Sequence, residues 1–178
     1  MNLLKTIGIF FIILSFTGCY ETENPVYDRG EKTSINGTFK CQDSVNDSIE
    51  VFTFTEQKKG FWPLVSYNYV DQDGKENLMN KLPSGLYVMQ SKDIESGVCV
   101  YAFVDFISDN NFMILVPDFM NKGPYIESLI DDFNIDHSKS KINSDCIVLK
   151  KDNETIKKFF AAHEKHMMFT LYQCKRSF

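Results

Sequence analysis

From Gly37 onward the apolar side chains come in short runs, several alternating with polar ones, and turn residues separate the runs. A two-residue period puts successive side chains on opposite faces of a strand. Strands are predicted over 37–42, 49–56, 61–70, 77–80, 85–90, 97–107 and 111–116, with turns at 57–60, Asp71-Gln72-Asp73-Gly74, Pro83-Ser84-Gly85 and 108–111. Pro63 interrupts its segment early, which suits an edge or a bulge. Segment 97–107 is apolar on both faces: Val98, Val100, Ala102, Val104 and Phe106 share one, and Cys99, Tyr101 and Phe103 share the other with Asp105. It is expected to be central and to form a hairpin with 111–116.

Beyond Pro117 the period lengthens. Ile126, Leu129, Ile130 and Phe133 fall at i, i+3, i+4 and i+7 behind Pro124, which reads as a first-turn proline, and predict a helix. Residues 136–144 read as a polar loop and 145–150 as a strand. Asp152-Asn153-Glu154 then opens a second helix with capping residues and an early acid, its apolar stripe being Ile156, Phe159, Phe160, His163 and Met167. Residues 168–175 close the chain as a strand. The layout is α+β: a curved, mainly antiparallel sheet with two helices in the C-terminal half, covered on one side. A closed barrel with a ligand cavity is the alternative, and needs more regular strand lengths.

The start of the chain follows a different rule. Lys5, the apolar run from Ile7 to Phe16 and the small residues Thr17 and Gly18 stand in the order of a secretory signal. The run is shorter than the ~20 apolar residues that a spanning helix needs. Phe16-Thr17-Gly18-Cys19 resembles the lipobox of bacterial lipoproteins. The resemblance covers only this leader. It implies cleavage before Cys19, a diacylglyceryl thioether on that cysteine and a further acyl chain on its amine, which together hold a protein stably on a lipid bilayer. With Tyr20 next to the cysteine, it implies sorting to the outer membrane, facing the periplasm of a bacterial cell envelope. The division is then 1–18 signal peptide, 19–36 lipidated cysteine and tether, and 37–178 one domain. Residues 20–35 are polar, contain Pro25 and Gly30 and show no apolar period, so the tether is expected to be flexible, with a span of very roughly 20 Å.

Charge narrows the partners. Without residues 1–18 the chain has eighteen Lys and Arg against twenty-four Asp and Glu, a mildly acidic balance without a basic stripe, which argues against nucleic acid. Sixteen Phe and eight Tyr are ample for a strand-rich core. With Cys19 set aside, Cys41, Cys99, Cys146 and Cys174 form an even set that reads as two disulfides in an oxidising compartment. Of the three pairings, Cys41 with Cys99 and Cys146 with Cys174 is favoured; Cys41 with Cys174 and Cys99 with Cys146 suits a closed sheet. No C-x-x-C pair supports zinc, and no metal or cofactor is expected.

Candidate chemistry is sparse. His163-Glu164-Lys165-His166 has i, i+3 spacing, whereas the zinc-protease helix needs i, i+4. Ser138-Lys139-Ser140-Lys141 has a Ser-x-x-Lys spacing without the companion elements of penicillin-binding enzymes. Asp105 shares a strand face with Tyr101 and Phe103, where desolvation would raise its pKa. Trp62, Tyr67, Tyr69 and Tyr87 are candidates for an aromatic recognition surface. The reading is a non-catalytic, membrane-anchored binding module for a protein partner, such as an envelope immunity or inhibitor protein. The alternatives are a carrier of a small apolar ligand and a hydrolase using Asp105, His163 or His166.

Overall fold

A computed structural model describes residues 18–92, 96–141 and 146–177. The signal-peptide expectation for 1–18 lies outside them except for Gly18. The described chain has strands β1 (Cys19–Thr22), β2 (Gly37–Asp43), β3 (Ile49–Lys59), β4 (Ser66–Asp71), β5 (Glu76–Lys81), β6 (Tyr87–Lys92), β7 (Cys99–Ser108) and β8 (Asn111–Pro117). Helix α1 (Phe119–Asp132), β9 (Asp136–Lys139), β10 (Cys146–Lys150), α2 (Asn153–Ala161), a 3-10 turn (Lys165–Met167) and β11 (Met168–Arg176) complete it.

The curved sheet closes. Strands β2 to β8 follow one another as antiparallel neighbours, β11 pairs with both β8 and β2, and the eight form a barrel. Unequal strand lengths do not prevent closure, because staggered pairing lets the longest strand serve two neighbours along different stretches. Residues 49–54 of β3 pair with β2, and residues 54–59 pair with β4. Strand β7 does the same on one edge: residues 103–108 pair with β8, and residues 99–101 pair with β1. From β7 a side sheet continues through β1 and β10, which run parallel, to β9.

Alternation along the strands builds two cores. On β7, Val104 points into the barrel with Phe39, Phe52, Phe54, Met79 and Phe112. Cys99, Tyr101 and Phe103 point out, where Ile126 and Ile130 of α1 and Ile156, Phe159 and Phe160 of α2 cover them. The doubly apolar segment is thus buried on both faces, as its pattern requires. Both helices have side-chain caps: Asp118 accepts the Asn121 N–H, and Asp152 accepts the Thr155 N–H, each at 3.0 Å. Helix α1 starts a turn before the expected position and carries Pro124 inside it. Residues 136–139, expected as loop, form the edge strand β9; all four are exposed, and an edge tolerates polar faces on both sides.

The expected tether is part of the fold. Cys19 to Thr22 are buried in β1, and Val26 and Ile35 are buried beyond it. Gln90 accepts the N–H groups of Val26 and Tyr27 at 2.8 and 2.9 Å and returns its amide to the Tyr27 carbonyl at 2.9 Å. Tyr69, from inside the barrel, accepts the Thr33 N–H at 2.6 Å. The Tyr67 N–H donates to the Gly30 carbonyl at 2.9 Å, and a Cβ at Gly30 would run into the Tyr67 carbonyl, so glycine permits the approach. Polar composition misleads here because backbone groups, which composition does not display, do the fastening.

Candidate functional site

The outer wall of the barrel has a covered half and a bare half. On the covered half, His163 of the expected stripe is fully buried against Phe103, its ring stacked at 5.1 Å between centroids. Nδ1 lies 2.9 Å from the Phe159 carbonyl and must therefore carry the proton, so Nε2 accepts the Tyr20 hydroxyl at 2.9 Å. Burial holds the imidazole neutral, with its pKa lowered to about 4. His166 is exposed beside Glu164, and Asp105, on the barrel's outer face, is paired with Lys165. The three candidate catalytic residues lie in one region of the fold but face a core, solvent and an ion pair respectively. They do not line a common pocket.

The cysteines pair differently from the favoured expectation. Cys41 and Cys174 are directly opposite on β2 and β11, with Cα atoms 4.0 Å apart, and are joined inside the barrel. Cys146 is joined to Cys19, its register partner on β1. Cys99 is a free, buried thiol whose pKa burial raises. The reason is topological: Cys41 faces the barrel interior and Cys99 the helix side, so the barrel wall separates them. Strand β1 lies between Cys99 and Cys146, and these two pair with β1 residues three apart, which face opposite ways. The Cys19 sulfur, the site of the expected thioether, is occupied by this disulfide, and one sulfur cannot hold both bonds.

The Cys19 and Cys146 sulfurs and a Glu21 carboxylate oxygen lie within 4.8 Å of one another. While the sulfurs are bonded to each other, neither offers a thiolate to a metal. Burial raises the Glu21 carboxyl above the usual range, partly offset by its hydrogen bond with Ser140. At the barrel end formed by the β2–β3 turn, burial and the neighbouring Asp43 raise the Glu50 carboxyl.

The bare half contains the arrangement that the fold leaves unexplained. Across β8, β11, β2 and β3 the register aligns Asn111, Lys175, Lys40 and Val51 in one row, and Met113, Gln173, Gln42 and Ile49 in the next. Two lysines thus stand directly opposite each other, a placement that costs stability. Among the described residues neither has an acidic partner. Apolar side chains flank them: Ile49 and Val51 are 69% and 54% exposed on one side, with Met113 and Ile107 on the other. The strip forms an open groove of about 390 Å³. An extended, acidic segment would find cations and amides along its middle and apolar surface at both margins.

Sequence reasoning missed this strip. The alternation Thr38, Lys40, Gln42 against Phe39, Cys41 and of Gln173, Lys175 against Cys174 marks those residues as facing outward. That the two lysines meet depends on the register of strands more than a hundred residues apart. Of the aromatic candidates, Tyr69 is fully buried, Tyr67 and Tyr87 are half-buried, and Trp62 is exposed. Segment 61–65, expected as strand, connects β3 to β4.

No family model, curated protein or solved structure matches the chain. Among the described residues no helix is long and apolar enough to cross a membrane.

Proposed function

We propose that the chain is an exported, disulfide-braced binding module that engages an acidic segment of a protein partner across the bare strip of its barrel. The observation that carries this reading is the facing pair Lys40 and Lys175, uncompensated on a chain of formal net charge −5 and flanked by exposed Ile49 and Val51. A local positive strip on an acidic protein selects an acidic partner by complementarity and speeds encounter. The lipobox-like leader supports residence in the bacterial envelope. Anchoring through acylated Cys19 belongs to the same proposal and requires a form in which Cys146 has lost its partner.

The test is affinity capture from envelope extracts with the oxidised protein and with Lys40→Glu/Lys175→Glu. The reading expects one stoichiometric protein held by the parent, released by added salt and not retained by the double variant. Equal retention by both would move the binding site elsewhere.

A second reading draws on the closed barrel, an architecture that ligand carriers share. Its interior is filled by Phe39, Phe52, Phe54, Tyr69, Met79 and Phe112, so a ligand would have to displace side chains. Stoichiometric lipid in the purified protein, identified by mass spectrometry, would favour that reading over the strip.

A further inference from the structure

The connection from β3 to β4 carries a second surface, independent of the strip. Phe61 and Trp62 are 90% and 89% exposed, and Leu64 is 57% exposed. Folding does not require large apolar side chains at such exposure, and the free chain gains nothing by grouping them. The connection is shaped by Gly60, which adopts φ +81° as a glycine readily does, and by the Leu64 N–H donating to the Phe61 carbonyl at 2.7 Å. Three exposed apolar side chains therefore fall within four residues at the end of a hairpin.

We propose that this tip is a membrane-interface anchor, with Phe61, Trp62 and Leu64 entering the outer part of an anionic bilayer and Lys58 and Lys59 meeting its head groups. Three features select lipid over a protein pocket. The first is chemistry: Trp and Phe with adjoining lysines is the residue set that settles at a membrane–water boundary. The second is depth. Lys59 and Lys58 stand two and three residues behind Phe61, about 7 to 10 Å along an extended chain, and interfacial segments bury their apolar parts by about 5–10 Å. The third is size, since the tip is a small wedge of three apolar side chains backed by exposed Gln57, Lys58 and Lys59, whereas a stable protein interface takes about 800 Å² from each partner. Lys59 shares its charge with Glu76 at 2.7 Å, leaving exposed Lys58 as the freer cation. A wedge this small gives weak, reversible adhesion, the kind that supplements another attachment.

Trp62 is the only tryptophan in the chain, so its fluorescence reports on the tip alone. The experiment uses the oxidised chain without residues 1–18, a cut that falls before the first described strand, with vesicles of phosphatidylcholine alone or mixed with phosphatidylglycerol. Anionic vesicles are expected to shift Trp62 emission to the blue and shield it from acrylamide. Lys58→Gln should weaken partition about fivefold, the factor for one surface cation, and salt should weaken it similarly. Phe61→Ser should abolish the shift while leaving thermal unfolding unchanged. Emission that is unmoved by vesicles of either composition would overturn the proposal, as would partition that Phe61→Ser leaves intact.

Discussion

The two halves of the barrel's outer wall use side chains in opposite ways. Under the helices, polar groups are matched: His163 has Tyr20 and the Phe159 carbonyl, Thr22 has Tyr101 at 2.8 Å, and Gln90 holds the backbone of 26–27. On the bare half, Lys40 faces Lys175 and isoleucine and valine face water. Folding accounts for the covered half and is opposed by the bare one. Residues that folding alone would not select are where selection by a partner has to be sought.

The contrast should appear first in stability. Phe160 is fully buried and touches Tyr101 and Phe103, with ring centroids at 4.9 and 6.0 Å. Its truncation, Phe160→Ala, is expected to cost about 3–5 kcal/mol by urea unfolding. Val51→Ala on the bare half should cost less than about 0.5 kcal/mol. Comparable costs would mean that both halves are packed and would erase the distinction.

Acid should attack the covered half specifically. His163 titrates at about 4 in the folded protein against 6.5 for a free histidine. The unfolded chain therefore binds the extra proton between these values, and stability contributed by the neutral ring is complete above pH 6.5 and is lost as pH falls towards 4. That contribution is worth about 3 kcal/mol. His163→Gln should flatten the acid limb of the stability profile over that window. A His163 imidazole that titrates near 6.5 by NMR would show the pocket to be open.

The disulfides extend the comparison to the barrel interior and the side sheet. Replacing Cys41 and Cys174 with serine should cost about 2–4 kcal/mol. In the native protein, Cys99 should resist alkylation until urea exposes it. An exported protein acylated at Cys19 would instead show two thiols after unfolding, Cys99 and Cys146, and intact mass under non-reducing conditions separates the two forms.

Much of the architecture was legible locally, because alternation and i, i+4 periodicity depend on neighbours in sequence. Phe52 and Phe54 turned inward, β7 was apolar on both faces, and Ile126, Ile130, Ile156 and Phe160 lined the helix cores as their spacing indicated. Closure was not legible, since the meeting of β11 with β2 on one side and with β8 on the other is long-range pairing. For the same reason the Cys41–Cys174 pair stood only as the alternative tied to a closed sheet, and the Cys19 partner of Cys146 and the fastening of 19–36 escaped a local reading. Trp62 was recognised as a surface candidate, but its separation from the buried Tyr69 rests on where β4 begins, at Ser66.

The smallest effect is the most telling for function. If Lys40 and Lys175 repel each other in the free protein, removing one charge with Lys175→Gln should raise stability by about 0.2–1 kcal/mol, the range of a cross-strand pair. The gain should shrink in high salt, which screens exposed charges. The same variant should bind the captured partner more weakly, so that stability and binding move in opposite directions. A structural lysine would lose both together, and an idle one would lose neither. Opposed changes would mark a strip kept for an acidic partner against the preference of the fold.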